Sequence, residues 1–93
     1  GVRIRPKQEI NIEDDLALDE YIKKNAETLY HPVGTCKMGI DDKAVTNEYG
    51  EVKGTTGLRV IDASIMPTLI GGNTDAPTMM IAEKISDQIN QNI

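Results

Sequence analysis

A chain of 93 residues is long enough for at most one small domain, and its hydrophobic fraction of 39% is compatible with a lean core. Fifteen acidic and ten basic residues leave a net charge of −5. This charge argues against nonspecific binding to nucleic acid or to anionic membranes, because both need a basic face. The single cysteine excludes an internal disulfide and a multi-cysteine metal site.

The first predicted element is an amphipathic helix over residues 12–29, with Asn11 as its N-cap. Glu13, Asp14 and Asp15 lie in the first predicted turn, where they complement the helix dipole. Apolar side chains then recur at helical spacing, and they are Leu18, Tyr21, Ile22, Ala26 and Leu29. We expect this apolar stripe to be buried in a core.

A loop over residues 31–39 follows, because Pro32 and Gly34 end the helix. It reads HPVGTCKMG and contains the only histidine and the only cysteine of the chain. Imidazole changes its charge near neutral pH, so His31 is the first candidate for proton transfer. From the residues alone, the alternative is a loop histidine that makes one backbone hydrogen bond. Cys36 is interpreted as a small, partly buried side chain.

Residues 40–57 are rich in Gly, Asn and Asp, and they predict turns around one or two short strands. A clearer strand is predicted over residues 58–61, which read LRVI after a glycine. The adjacent Asp41 and Asp42 have ligand chemistry for a metal ion, but no third ligand lies nearby in the sequence. We therefore expect solvated acids there and no metal site.

A loop over residues 62–75 contains Met66-Pro67 and a Gly-Gly pair, which break the chain twice. A second helix is predicted over residues 76–91, with Pro77 in the first turn, where its absent N–H is not needed. Asp75 is interpreted as a cap of this helix. Helices at both ends with short strands between them predict an α+β fragment that need not be an independent domain.

Three separated motifs together resemble the glucose–methanol–choline (GMC) family of flavin-dependent oxidoreductases. They are HPVGTCKMG at 31–39, LRVIDASIMPT at 58–68 and GGNTDAPTMMIAEK at 71–84. Their order and spacing fit the C-terminal part of the family, and the resemblance covers about Ile12 to the C-terminus. The dinucleotide-binding motif G-x-G-x-x-G, which lies near the N-terminus of family members, does not occur here. We therefore expect these residues to be the last part of a larger flavoprotein.

The resemblance implies a two-domain flavoprotein with an α/β FAD-binding domain and a substrate domain built on an antiparallel sheet. Residues 1–57 are then the tail of the substrate domain, and residues 58–93 return to the FAD-binding domain. The implied partners are a small-molecule alcohol and the N-terminal part of the same protein, without nucleic acid or metal. The location stays unknown, although the lack of a signal or transmembrane segment in this piece favours the cytoplasm or the membrane periphery.

The resemblance also implies the chemistry, which is oxidation of an alcohol CH–OH group to a carbonyl with hydride transfer to N5 of FAD, as in choline dehydrogenase-like members. It assigns His31 as the base and Asn73 as the hydrogen-bond donor to the developing alkoxide. Four residues are expected to bind FAD: Asp62, Ala63, Asn73 and Thr74. For Asp62 the alternative is that it caps a turn.

Two other functions stay open beside this one. The short length and the absent nucleotide-binding motif are also typical of a noncatalytic remnant or a small interaction module. A flavin-containing lyase on the same fold would keep the architecture and change the reaction.

Overall fold

The computed structural model describes residues 1–91 as two helices joined by long irregular segments. Helix α1 spans Asp15–Asn25, helix α2 spans Asp75–Gln91, and one turn of 3₁₀ helix at Ala63–Ile65 lies between them. The radius of gyration is 19.8 Å, and the molecule measures 63 × 29 × 16 Å. A compact domain of this length would have a radius of gyration of about 12 Å. The chain is therefore an extended piece and not a closed globule.

Helix α1 starts later than the sequence predicts because a different acidic or amide side chain caps it. The carboxylate of Asp14 accepts hydrogen bonds from the amides of Leu16 and Ala17, at 3.1 and 3.3 Å. Asn11 instead accepts from the amide of Glu13 at 3.0 Å and forms a turn ahead of the helix. The predicted bounds of 12–29 are thus too long at both ends.

The prediction that the apolar stripe of α1 is buried in a core is wrong within the described chain. No residue of α1 is buried. Leu16 and Ile22 are 79% and 51% exposed, and Leu29, beyond the helix end, is 79% exposed. Within the stripe only Leu18 and Tyr21 are half-buried, and Tyr21 shares a cavity with residues 4–10 of the N-terminal segment. This partial cover does not make a core.

The predicted strand over residues 58–61 is also wrong, and with it the strand part of the α+β prediction. Within residues 1–91 the backbone forms only isolated β-bridges, of which Arg59 with Glu51 is one. This antiparallel pairing lies between Gly50 and Gly57, whose φ angles of +72° and +75° turn the chain at both ends. The described chain is helical with little strand.

The best-packed part of the molecule surrounds the segment 36–39. The amide of Cys36 donates to the carbonyl of Ser64 at 2.9 Å, and the amide of Met38 donates to that of Ile65 at 2.8 Å. The fully buried hydroxyl of Thr46 donates to the carbonyl of Cys36 at 3.0 Å. The buried apolar side chains around these bonds are Ala44, Ile65, Met66 and Ile85. The bonds from Cys36 and Met38 tie the loop after His31 to the 3₁₀ turn.

Helix α2 packs against the 3₁₀ turn through Ile85, which is 3% exposed. It begins at Asp75, one residue earlier than predicted. Asp75 therefore lies in the first turn, and the interpretation of this residue as the cap is wrong, since Thr74 holds that position. Neither helix in the described part of the chain is long and apolar enough to cross a membrane.

Candidate active site

His31 lies between two residues whose backbone is constrained. Tyr30 has a φ of +62°, a left-handed conformation that non-glycine residues rarely adopt, and its amide donates to Thr28 Oγ1 at 3.0 Å. Pro32 fixes the φ angle on the other side. Because the Tyr30 side chain is 81% exposed, its own packing does not account for this conformation. No pattern in the sequence indicates a left-handed tyrosine, so sequence reasoning missed this residue.

The imidazole of His31 contacts the residue that precedes helix α2. His31 Nδ1 lies 2.8 Å from Thr74 Oγ1, in a partly buried contact between residues 43 positions apart. The amide nitrogen of Thr74 lies 3.5 Å from the same ring atom, which is beyond the usual range for a hydrogen bond. The hydroxyl is therefore the group that holds the ring. The sequence predicted that Thr74 binds FAD, but it did not predict the contact of Thr74 with His31.

His31 and Asn73 line the same cleft, which has a volume of about 620 Å³. Its other walls are Thr28, Leu29, Pro32, Leu69, Ile70, Gly71 and Gly72. The side chain of Asn73 makes no hydrogen bond to any residue that the structure describes. A mostly apolar cleft of this size with two convergent polar groups is suited to a small ligand. The structure thus brings the two predicted catalytic residues to one surface.

Asp62 and Ala63 do not line this cleft. The carboxylate of Asp62 caps the 3₁₀ turn, with Oδ1 accepting from both the hydroxyl and the amide of Ser64. The bond from the Ser64 hydroxyl, and next that from its amide, lower the pKa of the exposed Asp62 carboxyl below its usual value of 3.8. Asp62 therefore caps a turn, which is the alternative role that the sequence allowed for it.

The backbone before and at the start of α2 fits a flavin. A Cβ atom added at Gly71 or Gly72 would meet no atom within 4 Å, so a large planar group has room to approach the main chain there. The amides of Asp75 and Ala76 have no acceptor among residues 1–91, and Pro77 has no N–H. Such free amides carry partial positive charge, which suits the electron-rich pyrimidine edge of a flavin.

A second cavity, with a more polar lining, does not compete with this cleft as a reactive site. It has a volume of about 340 Å³ and is formed by residues 47–59 around a turn. Its Arg59 donates to the Glu51 carboxylate at 3.1 Å and to the carbonyl of Tyr49 at 2.6 Å, so these charges are already paired. Across residues 1–91, no three His, Cys, Asp or Glu side chains form a group that could hold a metal ion.

Comparison with known proteins decides the family. The sequence model of the GMC oxidoreductases matches residues 2–82. The chain belongs to the GMC oxidoreductase family. The family resemblance predicted from the three motifs is confirmed. The matched region starts at residue 2, although no motif was recognised before Ile12.

Relatives of this GMC segment include the oxygen-dependent choline dehydrogenases of Cronobacter sakazakii and Pseudomonas aeruginosa. They are 56% and 55% identical to it over 80 residues. Each alignment covers 86% of this chain and 14% of the relative. The chain therefore spans about 14% of the length of the curated relatives it matches.

A solved structure has the same fold. The crystal structure of pyridoxine 4-oxidase from Mesorbium loti matches with a TM-score of 0.82 and 36% sequence identity, over 87% of this chain and 16% of that chain. The described residues are therefore a part of a GMC oxidoreductase fold. A part of a larger fold has no need to be compact by itself, which agrees with the radius of gyration of 19.8 Å.

Proposed function

We propose that this chain is the C-terminal catalytic segment of an FAD-dependent enzyme that oxidises an alcohol CH–OH group to a carbonyl. The observation that carries the proposal is the cleft in which His31, 2.8 Å from Thr74, is joined by Asn73. Choline and pyridoxine, named in the relatives, are both alcohols, and both relatives are named as oxidising enzymes. These names favour oxidation over the lyase alternative.

In this proposal the chain supplies the groups that handle the proton and the oxygen of the substrate. His31 Nε2 accepts the proton of the hydroxyl group, because Nδ1 is engaged with Thr74. The amide of Asn73 donates a hydrogen bond to the same oxygen as negative charge develops on it. FAD, when bound, supplies the acceptor for the hydride.

We assign FAD binding to two groups of residues, one at the cleft and the start of α2 and one outside the cleft at the 3₁₀ turn. Asn73 and the main chain of Thr74, with the free amides of Asp75 and Ala76 at the start of α2, hold the edge of the flavin ring, whereas the Thr74 hydroxyl contacts His31. Asp62 Oδ1 is occupied by Ser64, whereas Oδ2 has no partner among the described residues and is suited to accept from a cofactor hydroxyl. The half-buried Ala63 beside it allows close approach of the cofactor to the backbone. In this assignment residues 1–57 belong to the substrate domain and residues 58–93 to the FAD-binding domain.

The test uses the full-length protein that contains this segment, screened with a panel of small alcohols. We expect His31→Ala to lower turnover by about 10²–10⁴-fold, the usual span for general acid–base catalysis, while flavin absorbance shows the cofactor still bound. His31→Gln should be impaired as strongly, since its amide cannot take the proton. Near-normal turnover in either variant would remove His31 from the role of base.

The same experiment addresses Asn73. Asn73→Ala should raise the barrier by about 2–4 kcal/mol, which is the cost of one preorganised donor to an oxyanion. Asn73→His should keep more activity, because imidazole can also donate. Rapid-mixing measurements against alcohol concentration separate the rate of the chemical step from substrate affinity. If only the apparent affinity changes, Asn73 is a binding residue and the catalytic pair is wrong.

A further inference from the structure

We propose that Thr74 is the positioning residue of His31, a role that rests on the proposed function. In this role the Thr74 hydroxyl accepts a hydrogen bond from Nδ1–H of His31, which leaves Nε2 unprotonated and directed to the substrate. The evidence is the 2.8 Å contact between Nδ1 and Oγ1 across 43 positions of sequence. A base oriented by a third group is a common arrangement in sites that activate a hydroxyl.

The sequence explains why the Thr74 hydroxyl is free for this purpose. A threonine before a helix normally accepts from the amide of the second or third helical residue. In α2 the third residue is Pro77, which has no N–H. No described bond joins Thr74 Oγ1 to the amide of Ala76. The hydroxyl therefore has no competing partner within the helix.

The first turn of α2 holds Thr74 in place. Its carbonyl accepts both the amide and the hydroxyl of Thr78, at 3.0 and 2.6 Å. The residue is thus fixed through its backbone while its side chain reaches His31. Movement of Thr74 would require the first turn of the helix to open.

Two contacts of Thr74 with the ring would select opposite tautomers. A bond from the Thr74 amide would make Nδ1 an acceptor and leave the proton on Nε2. The amide lies at 3.5 Å, whereas the hydroxyl lies at 2.8 Å and can either donate to Nδ1 or accept from it. The proposed base at Nε2 needs its proton on Nδ1, so we assign the hydroxyl as the acceptor. A hydroxyl oxygen can accept from Nδ1–H both before and after Nε2 takes a proton. Thr74 therefore also stabilises the imidazolium that forms.

The test compares Thr74→Val, which removes only the hydroxyl, with Thr74→Ser, which keeps it. In the full-length protein we expect Thr74→Val to lower kcat by about 10- to 100-fold, as for loss of a hydrogen bond to a charged group. KM and the flavin-to-protein ratio should stay close to wild type, and Thr74→Ser should restore most of the rate. Thr56→Val makes the same chemical change at an exposed, unbonded turn position and should have no effect.

A double-mutant cycle distinguishes positioning from a structural role. If Thr74 acts through His31, Thr74→Val should add nothing in the His31→Ala background. Additive losses, loss of bound flavin, or failure of Thr74→Ser to restore the rate would each overturn the proposal. If His31→Ala is strongly impaired but Thr74→Val is fully active, the positioning role of Thr74 is refuted while the proposed function stands. A fully active His31→Ala refutes the proposed function and the positioning role together.

Discussion

The N-terminal arm, residues 1–30, and the packed region, residues 31–91, differ in how far their contacts reach. Hydrogen bonds within the arm join residues at most seven positions apart, the longest being from Arg3 to the carbonyl of Ile10. In the packed region Cys36 bonds to Ser64 and His31 to Thr74. Helix α1 in the arm buries no residue, whereas Thr46 in the packed region is fully buried.

This difference shows which part of the chain is held in place by contacts between its own distant residues. The packed region fixes the loop after His31 against the 3₁₀ turn, and it thereby positions the cleft with contacts internal to the chain. The arm has an amphipathic helix that buries no residue and makes no contact with α2 or the 3₁₀ turn. Since the chain spans about 14% of its relatives, we expect other parts of the whole protein to cover that face.

The first way to test the comparison is to disturb the packed region at Gly50. A Cβ atom at Gly50 would lie 2.7 Å from the carbonyl oxygen of Val60, and φ is +72°. Because strain and a backbone clash combine, we expect Gly50→Ala to destabilise the full-length protein by about 2–3 kcal/mol. Thermal unfolding followed by release of flavin fluorescence measures the change.

Gly54→Ala is the matched control for Gly50→Ala. Gly54 has a φ of +78°, but an added Cβ would meet nothing within 4 Å. Only the conformational cost remains, so we expect a loss of about 1 kcal/mol. Equal effects of the two substitutions would mean that the close packing around Gly50 is not present in the whole protein.

The sequence predicted those features that depend on local pattern. Both helices exist, the family is correct, and His31 and Asn73 do line one cleft. The N-terminus of α1 was misplaced because Asn11 and Asp14 are both good caps, and local pattern does not choose between them.

The features that the sequence did not predict depend on residues distant in the chain. The segment 58–61 has strand composition, but a strand needs neighbours to pair with, and within residues 1–91 it has a single bridge partner. The contact between His31 and Thr74 joins two loops 43 positions apart, so no spacing rule indicates it. It follows from the way in which the loop 31–39 docks on the 3₁₀ turn.

A second test addresses the arm and should have a smaller effect. Ile22 is 51% exposed in this chain. If the rest of the protein covers α1, Ile22→Ser should destabilise the full-length enzyme by about 1–2 kcal/mol through lost apolar burial. Lys23→Ser, one residue further on the same helix, controls for helix propensity. A loss for Ile22→Ser no greater than that for Lys23→Ser would show that the apolar face stays exposed and that the arm is not packed.

The smallest expected effect concerns the charge of Asp62 at the edge of the packed region. Hydrogen bonds from the Ser64 hydroxyl and amide lower the pKa of the folded Asp62 carboxyl below 3.8. At neutral pH these bonds to the charged group stabilise the fold. As pH falls through 3.8 the unfolded state takes up the proton first, so this stabilisation declines and is lost below the folded pKa.

Asp62→Asn keeps the cap and removes the charge, so it isolates this effect. Because Asp62 is exposed, we expect a loss of only about 0.5 kcal/mol at pH 7. The gap between the unfolding temperatures of variant and wild type should close as pH falls below 4, since a protonated carboxyl resembles the amide. Asp42→Asn removes the same charge from an exposed, unbonded turn position and controls for the change in net charge. A gap that stays constant with pH would show that the Ser64 bonds do not act on the ionised carboxylate, and that the edge of the packed region is as loosely held as the arm.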